Sequence, residues 1–291
     1  MFELDAYYQP ESLAVALELL AKSDGKLRPL AGGTDLVPAL AKRKIHCPGL
    51  IDLSAVSELR AIIAREHEIQ IGSMSTFAQI EEFLVIRNRF PLLSEAAASV
   101  GSPQIRNTGT IGGNIANASP AADMVTALIA LEAEVRLDSS EGFRTVPLQN
   151  ILEGAGKTHI RPQEIITNIL IRPLAPGSRS GYIKLGRRRA LAIARLNLAV
   201  ILAVHENKIS LARVALGAVG PNPCRSSALE TTLEGQQISS TLVDTFASEA
   251  EKEVVRMLGS RPSVSYKQEA VKGIARELLP RLFSSTEGVV A

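Results

Sequence analysis

Two pairs of adjacent glycines, Gly32-Gly33 and Gly112-Gly113, sit among small and hydroxylated residues of the kind that bind anions. The first lies in Leu30-Ala31-Gly32-Gly33-Thr34-Asp35-Leu36, where a strand pattern ends and a helix pattern begins. Glycines let the backbone approach a bulky anion, and free N–H groups at the turn and helix start supply positive potential. Thr34 adds a hydroxyl donor. The spacing matches neither GxGxxG nor GxxxxGK[ST]. The second pair lies in TGTIGGNIANASPAAD, from Thr108 to Asp123, which reads as a polar loop ending on a helix. Ser119 would cap that helix and Pro120 would open it. Thr110, Asn114, Asn117 and Ser119 offer side-chain hydrogen bonds, and Asp123, in the first helical turn, could accept from sugar hydroxyls. A capped strand-to-helix turn would explain the first motif alone, and a helix dipole would explain Asp123 alone. Two glycine-paired loops in one domain fit a diphosphate clamped from both sides.

The elements that must hold these loops follow from periodicity. Residues 10–22 place Leu13, Leu17 and Leu20 on one helical face. A strand at 27–31 runs into the first glycine pair, and a helix from 35 to 44 follows, capped by Thr34 or Asp35. Leu50–Leu53 is strand-like. Residues 61–64 and 68–72 alternate around Glu66-His67 as a hairpin. Helices at 75–84 and 91–100 precede the polar segment 101–119, and a helix from Pro120 to about Glu132 follows it. Strands at 133–138, 143–146 and 164–171 complete this part. Residues 173–181, RPLAPGSRSG with its flanks, concentrate proline, glycine and serine as a linker. Beyond it, strands at 181–187, 196–205 and 208–218, the last two joined by Glu206-Asn207, precede helices near 226–234, 239–258 and 268–283. That order is the α+β pattern of a separate domain. Domains at 1–175, with subdomains of about 1–55 and 56–175, and 176–291 are expected.

Composition narrows the function. At 291 residues, two domains are the natural expectation. The net charge is +2, Trp is absent, and the one dense basic run is Arg187-Arg188-Arg189, so a nucleic-acid partner is not expected. Cys47 and Cys224 are too few for a disulfide framework or a cysteine-rich metal site and suit a reducing compartment. The acidic N-terminus MFELDAYYQP is unlike a signal peptide. The longest apolar stretch, Leu196–Val204, is interrupted by Asn197 and too short for a membrane span. A soluble, cytoplasmic protein is expected.

AGGTDL followed by TIGGNIANASPAADM resembles the FAD-binding medium subunit of the xanthine dehydrogenase and carbon monoxide dehydrogenase family of molybdenum hydroxylases. Tyr182-Ile183-Lys184-Leu185-Gly186-Arg187-Arg188 resembles that family's Tyr-x-Lys-x-x-x-Arg stretch, and GAVGPNPCR, residues 217–225, its GAVxPxPxR turn. The resemblance implies an α+β protein: a two-subdomain FAD-binding fold of the vanillyl-alcohol-oxidase/PCMH type, then a C-terminal domain with a three-stranded antiparallel sheet and helices. It implies that Pro29, Leu30, Ala31, Gly32, Gly33, Thr34, Asp35 and Leu36 wrap the FAD pyrophosphate from one side. Thr110, Ile111, Gly112, Gly113 and Asn114 would close on it from the other, with Asn117 and Ser119 nearby. Asp123 would hold ribose hydroxyls, Ile166 would offer an apolar backbone contact, and Lys184 would reach toward the flavin and stabilise its reduced form. Where many relatives read D-I-A, this chain reads Ala192-Ile193-Ala194. Its two cysteines cannot hold the extra iron–sulfur cluster of the benzoyl-CoA-reducing branch. His46, His67, His159 and His205 lie outside both loops, so non-covalent FAD is expected.

By the same resemblance the partners are a [2Fe–2S] small subunit and a molybdopterin large subunit in a heterohexamer. Electrons would leave to NAD, a quinone or oxygen. Two other readings compete: a free-standing FAD-dependent oxidoreductase of the same fold, and a nucleotide-binding module without redox work. The chain shows no His, Tyr or Cys constellation for substrate acid–base chemistry, which favours the subunit over the free-standing enzyme.

Overall fold

The computed structural model describes residues 4–188 and 191–284; Arg189 of the basic run and the end of the expected C-terminal domain lie outside them. Two compact units interleave along the chain. The first comprises the residues up to Ile80, Ser102–Ser119 and Glu132–Pro173; the second comprises Glu81–Gly101, Pro120–Leu131 and the residues from Leu174. The chain therefore passes into the second unit twice before the expected linker. Each unit has its own sheets and core.

In the first unit, β1 (Ala6–Tyr8), β2 (Leu27–Leu30) and β3 (Gly49–Asp52) form a parallel sheet in the order β1-β3-β2. Helix α1 (Leu13–Lys22) is capped by Ser12, whose Oγ accepts the Val15 N–H, and buries Ala16, Leu17 and Leu20 beside Ile51 and Leu53. Helix α2 (Leu36–Ala41) is shorter than expected: Asp35 occupies the N-cap without a side-chain bond, and Arg43, with φ 51°, has left the helix. A five-stranded antiparallel sheet follows in the order β4-β5-β10-β6-β7. Its strands are β4 (Ile62–Ala64), β5 (Ile69–Gly72), β6 (Glu134–Ser139), β7 (Gly142–Pro147) and β10 (Ile165–Ile171). A small ribbon of β8 (Leu152–Gly154) and β9 (Lys157–Thr158), unforeseen in the sequence, intervenes. The change from a parallel to an antiparallel sheet falls between β3 and β4. Helix α3 (Phe77–Glu82) leaves this unit.

The polar segment 101–119 is not a loop. It folds as α6 (Pro103–Thr108) and α7 (Ile111–Asn117), capped by Ser102 and Thr110. Burial of Ile111 and Ile115, at i and i+4, together with the Thr110 cap, outweighs the poor helix propensity of Gly112 and Gly113.

In the second unit, α4 (Leu84–Arg89) and α5 (Pro91–Ser99) lead to α8 (Asp123–Ala130). Ser119-Pro120 does not open α8; Ala122 occupies its N-cap, and the Pro120 carbonyl accepts the Ala218 N–H instead. The sheet has four strands, not three: β11 (Ser178–Leu185), β12 (Leu196–His205), β13 (Lys208–Gly217) and the two-residue β14 (Cys224–Arg225), in that order and antiparallel. β11 takes up much of the expected linker. Glu206 and Asn207, φ 49° and 61°, make the two-residue hairpin turn between β12 and β13. Helices α9 (Ser227–Leu233), α10 (Ser240–Leu258) and α11 (Val264–Ser284) bury Phe246, Val254, Leu278 and Leu279 in one core with Leu198, Val200 and Val214 of the sheet. Among the described residues no helix is long and apolar enough to cross a membrane.

Candidate functional site

Both glycine pairs lie in the first unit, and they meet. A Cβ on Gly32 would stand 1.9 Å from the Thr108 carbonyl oxygen, so the first loop packs directly on the end of α6. A Cβ on Gly113 would face the same loop, 3.6 Å from Ala31 Cβ. Gly33 needs glycine for another reason, its φ of +69°. Gly112 packs backbone to backbone against Ser73, where a Cβ would come within 2.8 Å of the carbonyl oxygen. Close approach of chain to chain, more than of chain to ligand, fixes Gly32 and Gly112.

The two loops differ in what they offer an anion. At α7 the N–H groups are already spent. Ile111 donates to Ser75, Gly112 to Ser73, Gly113 to Thr110 Oγ1 at 3.1 Å and Asn114 to the Thr110 carbonyl. At the first loop they are not. Among the described residues the backbone N–H groups of Gly32, Gly33, Thr34 and Asp35 make no hydrogen bond. Four successive donors around a left-handed glycine form a concave cradle for an oxyanion. The Asp35 carboxyl at its edge is held above its usual pKa by desolvation, against a lowering bond from Thr34. A buried acceptor, Asn114 Oδ1, also has no partner. These groups fit a phosphate and a ligand donor beside it.

The other residues expected around the loops are dispersed. Pro29 and Leu30 are part of β2, and Leu36 starts α2. Asn117 and Ser119 lie at the far end of α7, about 10 Å along the axis from Thr110. Ile166 is a buried residue of β10 at a register shift between 166 and 168, where the strand bulges opposite β6.

Asp123 and Lys184 belong to the second unit and are bound to each other. Lys184 Nζ donates to Asp123 Oδ2 at 2.7 Å and to the Ser99 carbonyl at 2.9 Å. Asp123 Oδ1 accepts from Tyr182 Oη at 2.5 Å and from Asn197 Nδ2 at 3.3 Å. Thr126 Oγ1 donates to Asn197 Oδ1, and Gly217 must be glycine because a Cβ there would lie 2.1 Å from that oxygen. Burial pushes the Asp123 carboxyl up, and the Lys184 charge and these bonds pull only part of the way back. Burial and the neighbouring carboxylate push the Tyr182 hydroxyl well up. A carboxylate has about four acceptor sites, so Asp123 retains capacity for one further donor rather than two. Lys184 keeps one N–H and lines a cavity of about 510 Å³ with Glu95, Ser99, Tyr182 and Arg187.

Tyr182, Asn197 and Thr126 are the site residues missed in the sequence. Asn197 had a signal: it is the one polar residue within the apolar run of β12, and it is fully buried. The four histidines are exposed.

Comparisons with known proteins agree along the whole length. Residues 1–174 match the family described as FAD binding domain in molybdopterin dehydrogenase, and residues 181–282 match the CO dehydrogenase flavoprotein C-terminal domain. The nicotinate dehydrogenase FAD-subunit of Eubacterium barkeri is 34% identical over 287 residues, 97% of either chain. The glyceraldehyde dehydrogenase medium chain of Sulfolobus acidocaldarius is 32% identical, over 92% of this chain and 94% of that one. A chain of the carbon monoxide dehydrogenase from Hydrogenophaga pseudoflava superposes with a TM-score of 0.89 at 29% identity, covering 98% of this chain and 99% of that one. With these matches over both domains, the chain belongs to the FAD-binding medium subunits of the molybdenum hydroxylases, the oxidoreductase family of the xanthine and carbon monoxide dehydrogenases.

Proposed function

We propose that this chain receives electrons from the [2Fe–2S] clusters of a small partner subunit and passes them through FAD to an external acceptor: NAD, a quinone or oxygen. The substrate would be oxidised on a molybdopterin large subunit, the three chains forming a heterohexamer in the cytoplasm. The observation that carries this reading is the cradle at Gly32–Asp35, four unpartnered N–H groups shaped for a phosphate in a family of FAD subunits. FAD, when bound, supplies the exchange between single-electron and hydride transfer.

The chain's own residues hold and orient. The Gly32–Asp35 N–H groups take the pyrophosphate oxygens, and Asn114 Oδ1 accepts a ligand hydroxyl or amide. Thr110 is the cap that holds α7 in place beside the first loop. Asp123 accepts one sugar hydroxyl at its remaining site. Lys184, clamped by Asp123 and Ser99, presents its last N–H as a fixed cation for the reduced cofactor. Ile166 gives an apolar contact at the β10 bulge. Attachment is non-covalent: the histidines are exposed on the surface, and the Cys47 thiol donates to the Gly49 carbonyl.

The test is anaerobic mixing of the FAD-loaded chain with aldehydes, purines and carbon monoxide, watching the flavin absorbance. No bleaching is expected until the iron–sulfur and molybdopterin subunits are added. Rapid bleaching of the isolated chain would establish a free-standing oxidoreductase instead.

A further inference from the structure

Within the second unit, the sheet face that carries Lys184 holds one polar row. Lys184 of β11 pairs with Asn197 of β12, and Asn197 pairs with Gly217 of β13. Residues directly opposite on adjacent strands point to the same side, so the row runs from an ammonium through an amide to a residue without a side chain. Helix α8 packs on this face and brings Asp123 and Thr126 to it, three residues apart and so on one side of the helix. Asn197 and Thr126 are fully buried, and Asp123 is 7% exposed.

An amide in a strand of leucines and valines is costly unless its polar atoms are matched. Here both ends are. A carboxylate only accepts, so the amide nitrogen must face it: Nδ2 donates to Asp123 Oδ1 at 3.3 Å. The amide oxygen then accepts from Thr126 Oγ1 at 2.9 Å, which fixes the way the amide is turned. Gly217 leaves the room for this bond, because a Cβ there would lie 2.1 Å from Asn197 Oδ1 and 2.4 Å from Thr126 Oγ1. Three elements, α8, β12 and β13, thus converge on the orientation of one side chain. Packing alone would be served by a leucine.

We infer, on the reading of Lys184 as the fixed cation for reduced FAD, that Asn197 is the positioning residue of that cation: it holds Asp123 ionised by its Oδ1 and so leaves Oδ2 to Lys184. The titratable groups bonded to the carboxylate are Lys184 and Tyr182, both from β11. Glu95 of α5 is turned instead to the strand backbone and the end of α11, accepting from the Tyr182 N–H at 2.7 Å and from Arg281. Without the Asn197 amide, the burial of Asp123 has one donor fewer to oppose it, and the carboxyl takes up a proton at a higher pH. Below that pH Lys184 stands as an unbalanced charge, where in wild type the two charges cancel.

The experiment compares wild type with Asn197→Leu and Thr126→Val in two readouts. The first is NMR titration of carbon-13-labelled aspartate carboxyls in the FAD-free chain, with the Asp123 signal assigned by its loss in Asp123→Asn. Asn197→Leu should raise the proton affinity of Asp123 about tenfold. Thr126→Val keeps the amide but frees it to turn, and should give a smaller rise of the same sign; it carries the titration should Asn197→Leu fail to fold. The second readout is the flavin midpoint potential of the FAD-loaded chain. In Asn197→Leu it should follow wild type at pH 8 and lie above it at pH 5, where the unbalanced ammonium favours the reduced form. An Asp123 titration unchanged in both variants overturns the inference, whatever stability they lose. A moved titration with a potential parallel to wild type supports Asn197 as the residue that holds Asp123, and overturns the place of Lys184 beside the flavin.

Discussion

Gly32 and the Thr108 carbonyl are in direct contact across 76 residues of chain, with no room between them for a methyl group. The phosphate cradle and the end of α6 are thereby one structure. Whatever displaces Thr108 displaces the four free N–H groups with it.

Gly32→Ala and Gly113→Ala should separate folding from cofactor binding. At Gly32 the added carbon meets a backbone oxygen at 1.9 Å, so the loops must part, at about 1–3 kcal/mol. At Gly113 the contacts are Thr110 Oγ1 at 3.0 Å and Ala31 Cβ at 3.6 Å, and alanine suits a helix better than glycine. The apo-protein should stay within about 1 kcal/mol of wild type there. Both variants should lose FAD on gel filtration, but only Gly32→Ala should melt early. Full flavin retention by Gly113→Ala would remove α7 from the site.

Thr110→Ala tests the cap alone. The hydroxyl takes the Gly113 N–H in a helix of seven residues with two glycines near its start. Its loss should cost about 1 kcal/mol and raise amide exchange in residues 111–117. Thr110→Ser should restore both. If neither stability nor exchange changes, packing of Ile111 and Ile115 alone holds α7.

Sequence reading succeeded where one short stretch carries the whole signal. The strand, two glycines and helix of residues 27–41 are contiguous, and so is the hairpin at Glu206-Asn207. It failed at residues 103–117, because two glycines and several polar residues look like a loop until Ser102, Thr110, Ile111 and Ile115 are seen to cap and bury them. It read Ser119-Pro120 as a helix start because the competing partner, Ala218, is distant in the chain. Asp123 showed its charge but not its partners, Tyr182 and Asn197, which lie 59 and 74 residues away. The third strand pair of the C-terminal sheet, Cys224-Arg225 on β13, is too short and too close to prolines to leave a period.

Acid should weaken the first unit through Glu164. Its carboxylate is buried, which raises its pKa, but Arg144, the Arg161 N–H and their charges lower it more, to a net value below the usual 4.5. The folded form therefore holds its proton less tightly than the unfolded chain. Stability from this pair is complete above the unfolded pKa and is lost as pH falls through the folded one. Urea midpoints measured from pH 7 down to 3 should fall for wild type. Glu164→Gln should be less stable at pH 7 and show a flatter acid limb. Parallel curves for the two proteins would rule the pair out as a source of the acid sensitivity.

The Asp123–Lys184 pair predicts the opposite slope. Both side chains are about nine-tenths buried, so removing one leaves the other charged in a poor solvent. Lys184→Met should cost about 3–5 kcal/mol at neutral pH. The Asp123 carboxyl already sits above its ordinary 3.8 through burial, and without the ammonium it rises further. A carboxyl raised in the folded state binds a proton that the unfolded chain has released, so stability drops as pH rises between the unfolded and folded values. Lys184→Met should therefore recover part of its loss at pH 5 relative to pH 8. Adding Asp123→Asn removes the titrating group and should abolish that recovery. In the same double variant Tyr182 and Asn197 keep a neutral partner, so the pair of changes should cost less than the sum of the two singles. Additive losses with no dependence on pH would mean that the ammonium and the carboxylate do not act as a pair.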